Sequence, residues 1–314
     1  MSINRVGVIG AGIMGAGIAE LATRGGVTVR LRDVQGDALT RALRTVPRLI
    51  DERGRRRRVP ARERDAQLAR LHPSLDLAGL GRADFAMEAV IEDLDVKRRV
   101  FAELEVRMRP DAVLATNTSG LRVTDIADGL QGPERAVAMH FWNPAHLMPL
   151  VEVGAGEATA PATVEAALEV ARAIGKTPVR LTSEVLGFLG TRMQQAVVRE
   201  AIALLERGVA SAEDIDLAVR SSFGIRFPVI GPLESADLSG LDVIESIHRY
   251  LLPDLDRASE PQAALTERVA AGALGTKTGR GFHDWTVRDP AEAVRRRDDE
   301  LVRRLRLAAV EAEA

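Results

Sequence analysis

Five histidines are available for proton transfer in this chain of 314 residues, and one of them stands in a telling place. His140 falls at the end of the apolar run 137–141, which reads as a strand, and Glu152 falls in the next such run, 148–153. Asn143-Pro144 marks the turn between them. An imidazole takes and gives a proton near neutrality, and a carboxylate beside it fixes its tautomer and stabilises the imidazolium. The same pattern also suits a satisfied core histidine and a surface acid. His146 reads as a loop residue, and His72, His248 and His283 lack comparable context. Asn117 and Ser119 follow a further strand, 112–116, where small polar residues either face a ligand or form a turn. No His pair at helical spacing and no carboxylate cluster points to a metal. The absence of Cys excludes disulfides, thiolate metal sites and Cys nucleophiles.

A His–acid pair of this kind needs strands that end at a common crevice and a redox partner beside it. Residues 5–33 supply the pattern for both: a β-branched run, the turn Gly10-Ala-Gly-Ile-Met-Gly15, an apolar-periodic helix stopped by Gly25-Gly26, and a second strand ending at Asp33. This is the first βαβ unit of a dinucleotide-binding domain. Gly10 permits the tight turn, Gly12 lets backbone approach a pyrophosphate at a helix N-terminus, and Gly15 lets the helix pack close on the strand. Asp33 is placed for a ribose 2′-hydroxyl. Arg30 and Arg32 flank it, yet the acid would repel a 2′-phosphate, so NAD is expected rather than NADP.

The chain's 46% hydrophobic and 28% charged residues suit a globular protein, and a net charge of -2 gives no global attraction to nucleic acid or membrane. No apolar run approaches the roughly 18 residues a membrane helix needs. The first strand begins close to Met1, so no targeting peptide and a cytoplasmic location are expected. Only Lys97, Lys176 and Lys277 are lysines among the 43 basic residues.

Along the chain, a helix hairpin at about 36–71 is expected to interrupt the αβ alternation, its segments joined by a solvated loop, Gly54 to Arg58. A third strand is placed near 74–77, a fourth at 84–90, and a helix capped by Asp93 over 94–108. A strand at 148–153 joins the sheet, with room to run antiparallel to its neighbour, and a last strand covers 178–182. From Ser183 the periodicity is helical, with Gly208 ending one long helix, Ser211 opening the next and Ser239 expected to cap another. The fold class expected is α/β: a Rossmann-type, mostly parallel sheet domain over 1–182, an all-α C-terminal domain over 183–288 expected to dimerise, and a charged tail over 289–314.

Over nearly its whole length the chain resembles the L-3-hydroxyacyl-CoA dehydrogenase family. The matching stretches are Gly10 to Gly17, Glu88-Ala-Val-Ile-Glu92, Asn117-Thr-Ser119, His140-Phe-Trp-Asn143-Pro144, Leu150-Val-Glu152-Val and Gly275-Thr-Lys277-Thr-Gly-Arg-Gly-Phe282. The resemblance implies that His140 is the base and Glu152 its partner, and that Ser119 and Asn143 contact the substrate or the nicotinamide end. It further implies that Ile13, Met14, Ala89, Glu92, Lys97 and Asn117 lie along the cofactor, with Lys277 brought near it.

Two departures bear on the substrate. Thr191 stands where the family's substrate-orienting Asn would stand, and a hydroxyl lacks the amide's paired donor and acceptor. Gly120 replaces a second Ser. The stretch Gly224 to Glu234 and the charged tail look closer to the branch containing lambda-crystallin, gulonate 3-dehydrogenase and carnitine dehydrogenase. The expected reaction is NAD-dependent interconversion of an L-3-hydroxyacyl thioester, on CoA or a carrier, and its 3-oxo form. The alternatives are a free 3-hydroxy acid as substrate, or a non-catalytic NAD-binding protein.

Overall fold

The computed structural model describes residues 3–57 and 60–313 and divides into two compact units, Met1–Thr191 and Arg192–Ala314. The first is an eight-stranded sheet. Its strands are β1 (Arg5–Ile9), β2 (Thr28–Arg32), β3 (Leu71–Ser74), β4 (Phe85–Glu88), β5 (Val113–Thr116), β6 (Ala136–Phe141), β7 (Leu150–Ala155) and β8 (Thr177–Leu181). Their order is 3-2-1-4-5-6-7-8. The first six are parallel, β7 runs antiparallel to β6, and β8 is parallel to β7. Strand order reverses between β1 and β4, and such a reversal opens a crevice at the carboxyl ends of the strands.

Helices α1 (Ile13–Arg24), α2 (Gly36–Arg57), α3 (Ala61–Leu68), α4 (Leu94–Arg107), α5 (Val123–Ile126) and α6 (Pro161–Ala173) flank this sheet. One core packs α1, α2 and α6 on one face, through Ile18, Leu39 and Leu168; the other packs α4 and α5 on the opposite face. Helix α4 shows why the pattern works. Asp93 accepts from Val96 N at 2.9 Å as its N-cap, and Lys97, Val100, Phe101 and Leu104 form one buried stripe. Burying a Phe or Leu contributes about 1.5–3 kcal/mol, so Phe101 and Leu104 alone anchor the helix.

Three local expectations differ. The third strand is Leu71–Ser74, earlier than expected; Pro73 holds the preceding residue extended, and the strand lies at the sheet edge where a missing N–H is tolerated. The arginine run is no loop as far as it is described, because α2 continues through Arg57; a glycine costs a helix about 1 kcal/mol and does not by itself end it. Arg58 lies outside the described residues. Ser239 ends a helix instead of opening one. Its hydroxyl donates to Ser235 O, and Gly240, at φ +90, starts the next. The charged tail is a continuous helix, entered through Asp289, which accepts from Ala291 N at 2.8 Å.

The second unit contains the body of α7 (Phe188–Glu206), then α8 (Ala212–Ser221), α9 (Phe223–Arg226), α10 (Pro232–Ser239), α11 (Leu241–Leu251), α12 (Ala263–Ala270) and α13 (Pro290–Glu313). Ser211 caps α8, accepting from Asp214 N at 3.1 Å. Among its described residues only Ile202 and Ala203 are buried, while Leu217, Ile225, Val243 and Tyr250 are exposed. No helix among the described residues is long and apolar enough to cross a membrane.

Candidate active site

Strand pairing brings the two chemical residues together. In the antiparallel register of β6 and β7, His140 sits directly opposite Glu152, and opposed side chains on one face are in reach. His140 Nδ1 lies 2.8 Å from Glu152 Oε2, and both residues are buried. Trp142, two residues beyond His140, donates its indole N–H to the same oxygen at 3.0 Å. The other oxygen accepts the backbone N–H groups of Leu189 (2.8 Å) and Gly190 (3.0 Å). These belong to the first turn of α7, whose N–H groups have no partner within the helix. Glu152 thus caps α7 and holds His140 at once. Burial pushes its carboxyl pKa up, but the bonds from His140, Gly190 and Trp142 outweigh this and hold it below the ordinary value.

The start of α7 is shaped for this contact. Gly187 (φ +79) and Phe188 (φ +50) are both left-handed, a conformation that costs a residue with a side chain about 1–2 kcal/mol. The turn lays the Phe188 ring flat on His140, 5.1 Å between centroids at 12°. A Cβ on Gly190 would stand 2.4 Å from Trp142 Cζ2, so only glycine lets the helix approach the indole. Trp142, Phe188 and Gly190 escaped the reading of the sequence; the two-residue spacing of His140 and Trp142 was the available signal.

A second network, buried at Lys97 and Glu88 and exposed at Glu92, lies at the ends of β4 and β5. Lys97 Nζ is 2.8 Å from Glu88 Oε1 and 3.3 Å from Glu92 Oε2, and the lysine is 1% exposed. Glu88 also accepts from Thr116 Oγ1 and Val90 N. Glu92 accepts from Ser119 N at 2.9 Å and from the Thr118 hydroxyl. Burial pushes Glu92 up, while Thr118, Lys97 and Ser119 pull its pKa below the ordinary value. Lys97 thus reaches the loop that carries Ser119 through Glu92. Asn117 accepts from Phe141 N at 2.9 Å, tying β5 to the end of β6 beside His140. Asn143 is exposed in the β6–β7 turn.

The glycine turn fits a dinucleotide. Gly10 has φ +104, and a Cβ there would stand 2.4 Å from Ala89 O, across the reversal of strand order. A Cβ on Gly15 would fall 1.8 Å from Gly10 O. A Cβ on Gly12 would meet nothing within 4 Å, so that glycine borders open space at the N-terminus of α1. This N-terminus has no side-chain cap and no acid in its first turn, which leaves its N–H groups and positive dipole end for a phosphate. Ile13 is exposed there and Met14 half-buried. Asp33 Oδ2 accepts from Ala11 N at 2.7 Å, which fixes the acid at the end of β2. Arg30 lies against Gly79. The donors and the acid suit NAD.

Thr191 lies in the first turns of α7, half-buried. Lys277 belongs to the second unit, exposed on a turn closed by Gly275 N to Arg280 O at 2.6 Å. No group of three or more His, Asp or Glu able to hold a metal occurs among the described residues.

Sheet order, glycine turn and acid define a dinucleotide-binding protein of the Rossmann class. Residues 5–185 match the family model of the 3-hydroxyacyl-CoA dehydrogenase NAD binding domain, and residues 187–285 that of the 3-hydroxyacyl-CoA dehydrogenase C-terminal domain. The chain belongs to the 3-hydroxyacyl-CoA dehydrogenase family and is an NAD-dependent oxidoreductase. It is 40% identical over 287 residues to a 3-hydroxyadipyl-CoA dehydrogenase of Escherichia coli (strain K12), covering 91% of this chain but only 60% of that protein. It is 37% identical over 289 residues to a 3-hydroxybutyryl-CoA dehydrogenase of Bradyrhizobium diazoefficiens, covering 92% and 97%. Among solved structures it resembles a 5-formyl-3-hydroxy-2-methylpyridine 4-carboxylic acid 5-dehydrogenase, described as an NAD+-dependent dismutase. There the TM-score is 0.88 at 33% identity, covering 97% of this chain and 98% of the other.

Proposed function

We propose that this protein interconverts an L-3-hydroxyacyl thioester and its 3-oxoacyl form, with His140 as general base and acid and Glu152 as its partner. The observation that carries the reading is the buried His140–Glu152 bond of 2.8 Å at the strand ends. With Nδ1–H donated to Glu152, Nε2 is left to take the proton of a substrate hydroxyl; no hydrogen bond among the described residues engages it. The imidazolium then formed faces a carboxylate that stays ionised, which lowers the cost of its charge in a buried site. Bound NAD supplies the hydride acceptor in this direction. In reduction His140 returns the proton. Ser119 and Asn143 orient the substrate, and Thr191 adds one hydroxyl. Gly10, Gly12, Gly15 and Asp33 hold the cofactor, with Ile13, Met14, Ala89, Glu92 and Asn117 along it and Lys97 supporting Glu92.

A second reading keeps the proton transfer and replaces the thioester by a free 3-hydroxy acid or a ring-borne carbonyl. Thr191 and the 0.88 TM-score to the pyridine-carboxylate dehydrogenase favour it. NADH oxidation with acetoacetyl-CoA, beside a panel of free 3-oxo acids and aromatic aldehydes, separates the two.

We infer further that the second unit pairs with a second copy. A helical unit whose described residues bury only Ile202 and Ala203 needs apolar cover, and self-association provides it. Sedimentation at micromolar concentration should give the dimer mass; a monomer would refute it. A cytoplasmic enzyme of fatty acid metabolism is the setting that suits the thioester reading.

A further inference from the structure

Lys176 precedes β8, and its ammonium is buried with the residue 7% exposed. Its Nζ donates to Ala145 O at 2.6 Å and Met148 O at 2.7 Å. Both carbonyls belong to the turn between β6 and β7, which carries Asn143 and connects His140 to Glu152. The same turn packs against α1, where a Cβ on Gly17 would lie 3.0 Å from Ala145 Cβ. Inside the turn, the amides of Leu147 and Met148 both donate to Pro144 O at 3.0 Å. No carboxylate forms an ion pair with Lys176 among the described residues. A neutral side chain would avoid the cost of burying this charge; an ammonium presents three donors at one point and can draw two carbonyls together.

We propose that Lys176 is a positioning residue for the reaction: its ammonium clamps the β6–β7 turn and so holds Asn143 in place beside the His140–Glu152 pair. The proposal rests on the roles given above to His140 and Asn143. Burial, then repulsion from Arg24, lowers the Lys176 pKa to about 7, against a smaller attraction from Glu20. The turn's own titratable side chain is His146. Deprotonation leaves two N–H donors but removes the charge that makes their bonds strong, so the clamp weakens as pH rises through neutrality.

The test compares the full-length protein with K176M and K176R. K176M should lose protection of the Leu147 and Met148 amides about tenfold in hydrogen exchange. With acetoacetyl-CoA its kcat should fall at least tenfold, with NADH Kd within twofold of the parent, and K176R should recover part of the loss. Because the chain has three lysines, 13C-lysine NMR follows Lys176 directly. The Leu147 and Met148 amide shifts should titrate with the Lys176 midpoint. Unchanged protection in K176M, or lost protection with unchanged kcat and KM, overturns the proposal. If K176M does not fold, amide shifts indifferent to the lysine titration overturn it and shifts that follow it uphold it. An unmodified protein inert toward acetoacetyl-CoA would sink the thioester reading; the exchange and NMR results then decide the clamp alone.

Discussion

Replacing Gly190 by Ala should separate activity from stability. The added Cβ would stand 2.4 Å from Trp142 Cζ2, 3.2 Å from Cε2 and 3.3 Å from Cη2. Ordinary carbon contacts lie near 3.5–4.0 Å, so the indole must retreat by about 1 Å. That retreat stretches the 3.0 Å bond from Trp142 to Glu152, and any shift of α7 instead stretches the 3.0 Å bond from Gly190 N. Overpacking costs about 1–3 kcal/mol, while alanine in a helix recovers about 1 kcal/mol over glycine. The net loss is about 0–2 kcal/mol, which leaves a folded protein. A misplacement of about 1 Å in catalytic geometry costs up to about a hundredfold. The assay is a thermal melt beside steady-state kcat for 3-oxoacyl thioester reduction. A variant with the parent kcat would refute the coupling of α7 to the His140–Glu152 pair, as would a rate loss that merely tracks unfolding.

Three further outcomes are expected. E152Q presents one acceptor oxygen and an NH2 group to four donors, so kcat should drop about 10²–10⁴-fold with a lowered Tm; a mild loss would mean Glu152 does not orient His140. G12V adds a Cβ that meets no protein atom within 4 Å and carries its methyl groups into the space beside the α1 N-terminus, so NADH binding should weaken at least tenfold in a calorimetric titration while Tm stays within a few degrees; unchanged binding would remove Gly12 from the cofactor site. Lys176 has a folded pKa of about 7 against 10.5 in the unfolded chain. The unfolded chain therefore holds a proton that the folded one lacks between those values. Unfolding free energy relative to K176M should rise by up to about 1.4 kcal/mol per pH unit as pH increases across that window. Urea titrations showing a flat or opposite trend would place the lysine in a more polar environment.

The sheet, the glycine turn and the His140–Glu152 pair are legible in the chain because each depends on local pattern: β-branched runs, glycines at fixed spacing, and residues flanking one turn. The cross-strand register then follows from that turn. The edge strand Leu71–Ser74 is less legible because three of its four residues are polar or proline, and its pairing comes from β2, far back in sequence. Ser239 shows the limit of capping signals, since the same residue type ends helices by bonding back to a carbonyl four residues earlier. The support around Glu152 was least legible. Leu189 and Gly190 act through backbone N–H groups, which carry no side-chain signature, and Glu88 joins Lys97 through burial that spacing alone does not reveal.

The proton-transfer role of His140 is tested most directly by H140Q with acetoacetyl-CoA and NADH, measured beside an NADH-binding titration. The expected result is brisk NADH oxidation by the parent protein and a loss of at least a thousandfold in H140Q, with NADH binding intact in both. An H140Q variant that keeps a tenth of the parent rate would contradict the assignment of His140 as the base.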